Sequence, residues 1–178
     1  MDDHGLVAAV LAGDRDAFRE LVEREQVAVY RVCLRIMGRP HDAEDVAQES
    51  FLMAYRSLGS YRGDGPLGGW LMRIAMRQAY RRLGQRRDTH ELPPDLPLGS
   101  PGSDPLATTL AGERQREVRL AVAALGEPYR EVVALRFFGE MSLEEIAATT
   151  RRPLNTVKTH LRRGLERLRP VLGREAVA

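Results

Sequence analysis

Three arginines at four-residue intervals, Arg73, Arg77 and Arg81, have a type and spacing that point directly to a chemistry. On a helix this spacing stacks the side chains in one column, away from the apolar stripe that begins with Leu67 and Trp70. Like charges in a column repel each other, and nucleic-acid phosphates neutralise them while counterions are released. The pattern predicts a surface for a phosphate backbone; a ridge that is merely solvated is the alternative.

A polar loop precedes this column. It contains Ser60, Tyr61, Arg62, Gly63 and Asp64, which supply an aromatic ring, a cation and hydrogen-bonding groups. These groups together can hold an unstacked base. Beside the arginine column, the loop favours contact with a separated DNA strand.

A second basic segment, near the C-terminal end, has the pattern of a helix-turn-helix. Ser142 and Glu145 form a capping box for its first helix, and we expect Asn155 to cap its second. The second helix would present its N-terminal end to base edges and its arginines to phosphates. A solvated helical hairpin without a partner is the alternative. The candidate DNA contacts are Arg152, Asn155, Thr156, Lys158, Thr159, Arg162 and Arg163.

An acidic helix is predicted to begin with Asp42 as its cap and to end near Leu58. Its carboxylates lie beside Leu52 and Met53, and such a mixed face suits docking against a basic partner. An ordinary solvated helix is the alternative. Carboxylates on one helix without histidine make a poor metal cage, so we predict no metal site and no cofactor. The carboxylates are those of Asp42, Glu44, Asp45 and Glu49.

The elements that position these residues are helices, because the apolar periodicity is helical almost throughout. Residues 88–105 contain four acidic residues, five prolines between 93 and 105, and no Lys or Arg. Basic segments flank them: residues 62–87 hold seven Arg against one Asp, and residues 151–169 hold seven basic residues against one Glu. We therefore predict an all-α chain with a domain at 1–87, a flexible acidic linker at 88–105 and a second domain at 106–178. Segregated charge of this kind favours a polyanion-binding protein.

The single cysteine, Cys33, excludes an internal disulfide and a cysteine zinc site. It lies on an apolar helical pattern, so we expect a buried structural thiol; a redox sensor is the alternative. No apolar stretch reaches membrane-spanning length, and the first residues lack a leader pattern. We expect a cytoplasmic protein without membrane insertion of its own.

Two segments together resemble the extracytoplasmic-function group of the sigma-70 family of bacterial RNA polymerase. DAEDVAQESFLMAYRSL (42–58), followed by WLMRIA (70–75) and an Arg-rich helix end, is similar to region 2 of that family. YREVVALRFFGEMSLEEIAATTRRPLNTVKTHLRRGLERLR (129–169) is similar to its region 4. Two motifs in this order around a linker are more specific than either motif alone.

The resemblance implies an alternative sigma factor that binds core RNA polymerase and promoter DNA, is held silent by an anti-sigma factor, and is not an enzyme. The 42–53 helix would bind the polymerase through Asp42, Glu44, Asp45, Gln48, Glu49, Leu52 and Met53. The 60–64 loop with Arg73, Arg77 and Arg81 would read and open the minus-10 element, and the second helix of the helix-turn-helix would read minus-35. The acidic linker would lie near the RNA exit path.

Arg77 and Arg81 stand where the family often has Asn and Asp, which raises the positive charge. Arg151 replaces a glycine that is common in such turns, and Arg152 replaces an aliphatic residue. Two other functions remain open on the residues alone: a conventional dimeric helix-turn-helix regulator that does not enter polymerase, and a nuclease that uses the 42–49 carboxylates. The absence of a catalytic His, Ser or metal constellation argues against the nuclease.

Overall fold

The computed structural model describes residues 2–88 and 105–173, with side chains for residues 2–85 and 112–173. Within these ranges the chain forms eight α-helices and one short 3-10 helix, without a β-strand, which confirms the predicted all-α fold. Most of the predicted linker lies outside the described residues. The helices are α1 (Asp3–Leu11), α2 (Arg15–Met37), α3 (Pro40–Ser57), α4 (Leu67–Asp88), α5 (Pro105–Ala124), α6 (Tyr129–Phe137), α7 (Leu143–Thr150) and α8 (Leu154–Leu172), with the 3-10 turn at Leu58–Ser60.

Helices α1–α4 form the N-terminal module, in which α2, α3 and α4 pack against one another. The bounds of α2 follow from local chemistry. The Asp14 carboxylate accepts hydrogen bonds from the Asp16 and Ala17 amides, and Gly38 ends the helix with a φ of 76°. Cys33 is fully buried in this core and burial raises the pKa of its thiol to about 12, in agreement with a structural thiol.

Two predicted helix starts are wrong, and one helix was not predicted. Helix α3 begins at Pro40, whose fixed φ suits the first helical position, so Asp42 lies inside the first turn. Helix α8 begins after Pro153, which likewise places Asn155 inside the helix. The unpredicted α1 has only nine residues and is capped by Asp2, which accepts a hydrogen bond from the Gly5 amide.

Helices α5–α8 form the C-terminal module, which contains the predicted helix-turn-helix in α7 and α8. Ser142 and Glu145 make the reciprocal capping box at the start of α7. Ile146 and Val157 are fully buried between the two helices. Arg151 ends α7 with a φ of 55°, the left-handed conformation for which such turns commonly use glycine.

The two modules pack against each other along α4, which contacts α6 and α7. Met72 and Met76 of α4 join Met141 and the apolar residues of α6 in one continuous core. None of the described helices is long and apolar enough to cross a membrane.

We expect Ile146→Ala to lower the free energy of unfolding by about 2–5 kcal/mol, because it removes buried methyl groups and leaves a cavity between α7 and α8. Urea unfolding followed by circular dichroism measures the change. The control is Leu52→Ala, at a side chain that is 59% exposed, with an expected change of about 0.5 kcal/mol or less. Equal losses in both variants would contradict the assigned core.

Candidate nucleic-acid interface

The exposed face of α3 carries most of the side chains predicted to bind polymerase. Glu44, Gln48 and Glu49 are exposed, and so are Leu52 (59%) and Met53 (40%), while Asp45 is half-buried. The face therefore combines carboxylates with apolar side chains, as the sequence predicts.

Asp42 does not belong to this face. Only 7% of the residue is exposed, and its carboxylate lies 4.0 Å from the Arg39 guanidinium. The reason is the earlier start of α3, which turns Asp42 towards the core side of the first helical turn. Tyr55, further along α3, is 46% exposed, and the centroid of its ring lies 4.9 Å from that of the Phe18 ring.

Side chains of helix α4 contact side chains of the α3 face. Arg82 pairs with Glu49 at 2.5 Å, and the Gln78 side-chain amide donates to the Met53 sulfur at 2.6 Å. The side chains of Glu49 and Met53 are thus held by the same helix that carries the arginine column.

In the 60–64 loop, two contacts fix the position of Tyr61. The Tyr61 hydroxyl donates to the Gly65 carbonyl at 2.6 Å, and the Tyr61 ring lies edge-on to the Trp70 ring at 5.8 Å. Ser60, Arg62 and Asp64 remain exposed. In this conformation Tyr61 is half-buried, so its ring must leave Trp70 at least in part before it can stack on a base.

The arginine column does not face solvent alone, because Arg73 and Arg77 reach across the junction to Glu131 of α6. Arg73 donates to the Glu131 carboxylate at 2.6 Å and Arg77 at 3.3 Å. Arg81, one turn further along α4, is exposed. Arg73 and Arg77 are each more than fifty positions away from Glu131 in the sequence.

Arg152 reaches the same carboxylate from the turn between α7 and α8, at 2.8 Å. The sequence predicts that Arg152 faces DNA, but in the structure its guanidinium points inwards to the buried Glu131 carboxylate. The aliphatic residue that is usual at this position in the family could not make this ion pair. The neighbouring residue Arg151 pairs with Asp64 of the 60–64 loop at 2.5 Å. Arg151 thus contacts the N-terminal module, whereas Arg152 binds within the C-terminal module.

Glu131 is the residue that the sequence did not single out. Its side chain is 9% exposed and accepts from three guanidinium groups. Burial raises the pKa of Glu131, but the hydrogen bonds and charges of Arg73 and Arg152 outweigh it, so the pKa lies below the ordinary glutamate value. The available signal was a carboxylate directly before the apolar run VVAL (132–135), on the face of α6 that packs inwards.

The rest of the predicted minus-35 surface lies on the outer side of α8. Asn155, Lys158, Arg162 and Arg163 are exposed, and Thr156 and Thr159 are half-buried. The Thr159 hydroxyl donates to the Asn155 carbonyl at 2.9 Å, and Arg162 pairs with Glu166 at 2.5 Å. Val157 and Leu168 face the core, so α8 has one apolar and one basic side.

Within the described part of the chain, no three His, Cys, Asp or Glu side chains are grouped as metal ligands would be. A cleft of about 440 Å³ lies between α4 and α6 instead. Five arginines and two glutamates are among its lining residues: Arg73, Arg77, Arg81, Arg130, Arg152, Glu127 and Glu131. The cleft therefore suits an anion better than a cation.

We expect Glu131→Gln to lower the free energy of unfolding by about 1–3 kcal/mol at neutral pH, because it removes a buried charged acceptor that binds three guanidinium groups. A carboxylate with a depressed folded pKa contributes stability above its unfolded pKa, about 4.3, and loses it as pH falls through the folded value. The difference between native chain and variant should therefore be constant above about pH 5 and shrink below it.

Urea unfolding across this pH range measures the difference. Glu44→Gln, which removes an exposed carboxylate from α3, is the control and should change the unfolding free energy much less at neutral pH. A Glu131→Gln effect that grows as the pH falls would contradict the role of the ionised carboxylate.

Comparisons with known proteins agree with the order of the two modules. The family model of Sigma-70 region 2 matches residues 21–89, and that of Sigma-70, region 4 matches residues 115–168. Together these ranges span more than half of the chain.

Similar proteins match over nearly the whole chain. The ECF RNA polymerase sigma factor SigW of Bacillus subtilis is 30% identical over 176 residues, covering 93% of this chain and 94% of SigW. The ECF RNA polymerase sigma-E factor of Escherichia coli is 34% identical over 176 residues, covering 93% and 92%. CnrH, solved in complex with the cytosolic domain of CnrY, superposes with a TM-score of 0.63 at 26% identity, covering 98% of this chain and 99% of CnrH.

These matches agree in family, in the order of the regions and in coverage. The chain belongs to the extracytoplasmic-function group of the sigma-70 family and is an alternative sigma factor.

Proposed function

We propose that this sigma factor binds core RNA polymerase through the exposed face of α3 and directs initiation by reading minus-10 and minus-35 promoter elements. The observation that carries the proposal is the division of charge over the surface. Carboxylates lie beside apolar side chains on α3, whereas arginines lie on α4 and α8. One chain thus offers a surface for a basic protein partner and two surfaces for nucleic acid.

The polymerase contact uses Glu44, Asp45, Gln48, Glu49, Leu52 and Met53. The two apolar side chains supply the area that is desolvated on binding, and the carboxylates fix the orientation against a basic partner helix. Asp42 contributes indirectly, since it is buried at the base of the helix. Arg82 restrains Glu49 and so reduces the entropy lost on docking.

The minus-10 contact uses the 60–64 loop with Arg73, Arg77 and Arg81. The arginines would hold the phosphate backbone, and Tyr61 would stack on an unpaired base once it leaves Trp70. Preferential binding of the separated strand would shift the duplex towards the open state.

The minus-35 contact uses the exposed side of α8, with Asn155 and Thr156 nearest the helix start. Short polar groups there approach base edges, while Lys158, Arg162 and Arg163 meet phosphates. Neither surface has to bind tightly alone, because the polymerase would hold both at the spacing of the two elements and convert two weak contacts into one strong contact.

An anti-sigma factor is a further proposed partner, supported by similar proteins. CnrH was solved with the cytosolic domain of CnrY, and RpoE of Bartonella quintana, which shares the fold at a TM-score of 0.56 and 21% identity, with the anti-sigma factor NepR. A protein captured on this chain from its own cells should lower run-off transcription when added back. If no captured protein lowers it, the proposal of an anti-sigma partner fails.

A conventional dimeric regulator is the second candidate, and the matches to both sigma regions do not favour it. Run-off transcription with core polymerase separates the two functions. A chain that never directs initiation and binds a palindromic operator as a dimer would support the regulator.

Reversing two charges on α3, Asp45→Lys with Glu49→Lys, should weaken binding to core polymerase by about tenfold or more, because the new cations repel a basic partner. The matched control is Glu113→Lys with Glu117→Lys, which makes the same change in charge on the exposed side of α5. Fluorescence anisotropy with labelled chain measures both affinities. Equal affinities in the two double variants would contradict the α3 contact.

Replacing Arg162 and Arg163 by alanine should reduce the salt dependence of promoter binding by the holoenzyme by a slope of about 2 and lower the transcript yield. Arg19→Ala with Arg114→Ala is the control, since each of these exposed arginines also pairs within its own helix, as Arg162 does. An unchanged salt slope in the α8 variant would show that α8 makes no phosphate contact there.

A further inference from the structure

The cleft between α4 and α6 contains more cationic groups than its own carboxylates can neutralise. Five arginines line it against two glutamates, an excess of three positive charges. Resting on the function proposed above, we propose that this cleft binds a free diphosphate or triphosphate group, as found in inorganic pyrophosphate or a nucleotide. This anion would compete with promoter DNA for Arg77 and Arg81.

Two of the five arginines already have a buried partner. Arg73 donates to one oxygen of the Glu131 carboxylate at 2.6 Å, and Arg152 donates to the other at 2.8 Å. Their side chains are only 24% and 26% exposed. Because both carboxylate oxygens keep a donor without further help, the other three arginines are available to a ligand.

Arg77 and Arg81 are the exposed members of this set. Arg77 is 66% exposed and makes the longest of the three contacts with Glu131, at 3.3 Å. Arg81 is exposed and forms no ion pair with the residues that the structure describes. Four residues of helix separate the two side chains by about 6 Å along the axis. A chain of two or three phosphates spans this separation better than a single phosphate does.

Arg130 supplies a cation from the opposite wall of the cleft, on α6. Its Nε donates to the Glu127 carboxylate at 2.9 Å, and its guanidinium lies 5.0 Å from the centroid of the Tyr80 ring. These contacts fix the guanidinium before a ligand binds, which lowers the entropy lost on binding. Arginines on two facing helices suit a compact polyanion held between them.

Tyr80 gives an independent indication of a ligand. It lines the cleft, and its hydroxyl is buried without a hydrogen-bond partner among the described residues. Buried polar groups nearly always have such a partner. Burial raises the pKa of Tyr80, so the hydroxyl stays protonated and can donate. A phosphate oxygen in the cleft would accept this hydrogen bond, and the charge on the acceptor would strengthen it.

The size of the cleft favours a small anion over nucleic acid. Its volume of about 440 Å³ lies within the range of small-molecule sites, about 300–1,000 Å³. A double helix is too wide to enter it, so DNA reaches only the exposed Arg77 and Arg81. Arg130 and Tyr80 would therefore serve the small anion alone, which allows its binding to be tested separately from that of DNA.

The first test is isothermal titration calorimetry of the full chain with sodium pyrophosphate, in buffer without divalent cations. We expect one saturable site, with binding of inorganic monophosphate weaker by about tenfold or more, because a monophosphate cannot reach all three arginines. Tyr80→Phe and Arg81→Gln should each lower the affinity for pyrophosphate by about tenfold, the loss expected for one charge-assisted hydrogen bond.

Each variant has a matched control on α3. Tyr55→Phe removes a hydroxyl from a residue that is 46% exposed, and Arg56→Gln removes one charge from an exposed arginine. Neither residue lines the cleft, so both controls should retain the native affinity. Equal losses in test and control variants would overturn the site. Native affinity in both test variants, or equal affinities for monophosphate and pyrophosphate, would overturn it as well.

A nucleoside diphosphate in the same titration distinguishes the two sources of the phosphate chain. Tighter binding than that of pyrophosphate would support a nucleotide as the ligand. Equal or weaker binding would support the inorganic anion.

The second test measures competition with promoter DNA. Holoenzyme is bound to a labelled promoter duplex, and pyrophosphate is added while fluorescence anisotropy is recorded, with sodium chloride at equal ionic strength as the control. Pyrophosphate should release DNA at lower ionic strength than sodium chloride does. Tyr80→Phe holoenzyme should bind the promoter as the native one does and need about tenfold more pyrophosphate for the same release.

Two different failures are distinguishable here. If pyrophosphate releases DNA no better than sodium chloride, or releases native and Tyr80→Phe holoenzyme equally, the inference is overturned and the sigma function stands. A native chain that directs no initiation with core polymerase would overturn the proposed function itself.

Discussion

One buried carboxylate with three cationic partners organises this molecule. Glu131 lies on the inward side of α6, where isolation from water would disfavour its charge, and Arg73, Arg77 and Arg152 make that charge favourable. Glu131 stabilises the arginines in turn, because the like charges of the column on α4 repel each other without a counter-charge. Either group alone would destabilise the chain, and together they hold its two modules in one arrangement.

The helices bring Glu131 and its three arginine partners together with little local strain. Helix α4 is fixed by its apolar side against α2 and α3, which leaves its arginine side towards α6. The capping box of α7 and the left-handed Arg151 set the turn that directs Arg152 inwards. Of the four residues that depart from the family pattern, Arg77 and Arg151 make ion pairs across the module junction, Arg152 pairs with Glu131 within the C-terminal module, and Arg81 is exposed.

The sequence predicted what local chemistry determines. Ser142 with Glu145 is a signal contained within one helix, and the structure has the helix it predicts. The starts of α3 and α8 were misplaced because a proline at the first helical residue of α3 or just before that of α8, and a polar residue two positions later, give competing local signals. The inward positions of Glu131 and Arg152 could not be predicted, since they depend on packing between different segments of the chain, whereas that of Asp42 follows from the misplaced start of α3. The sequence pattern predicted the arginine column, but it did not identify Glu131 as the group that the column contacts.

The packing of the two modules around Glu131 is most directly tested by the distance between spin labels at Val27→Cys and Arg169→Cys, exposed sites on α2 and α8. The native Cys33 is fully buried and its thiol has a raised pKa, so it should not take the label. We expect one narrow distance distribution, because Arg73 and Arg77 of α4 bind Glu131 of α6 and join the two modules. A broad distribution would contradict this packing.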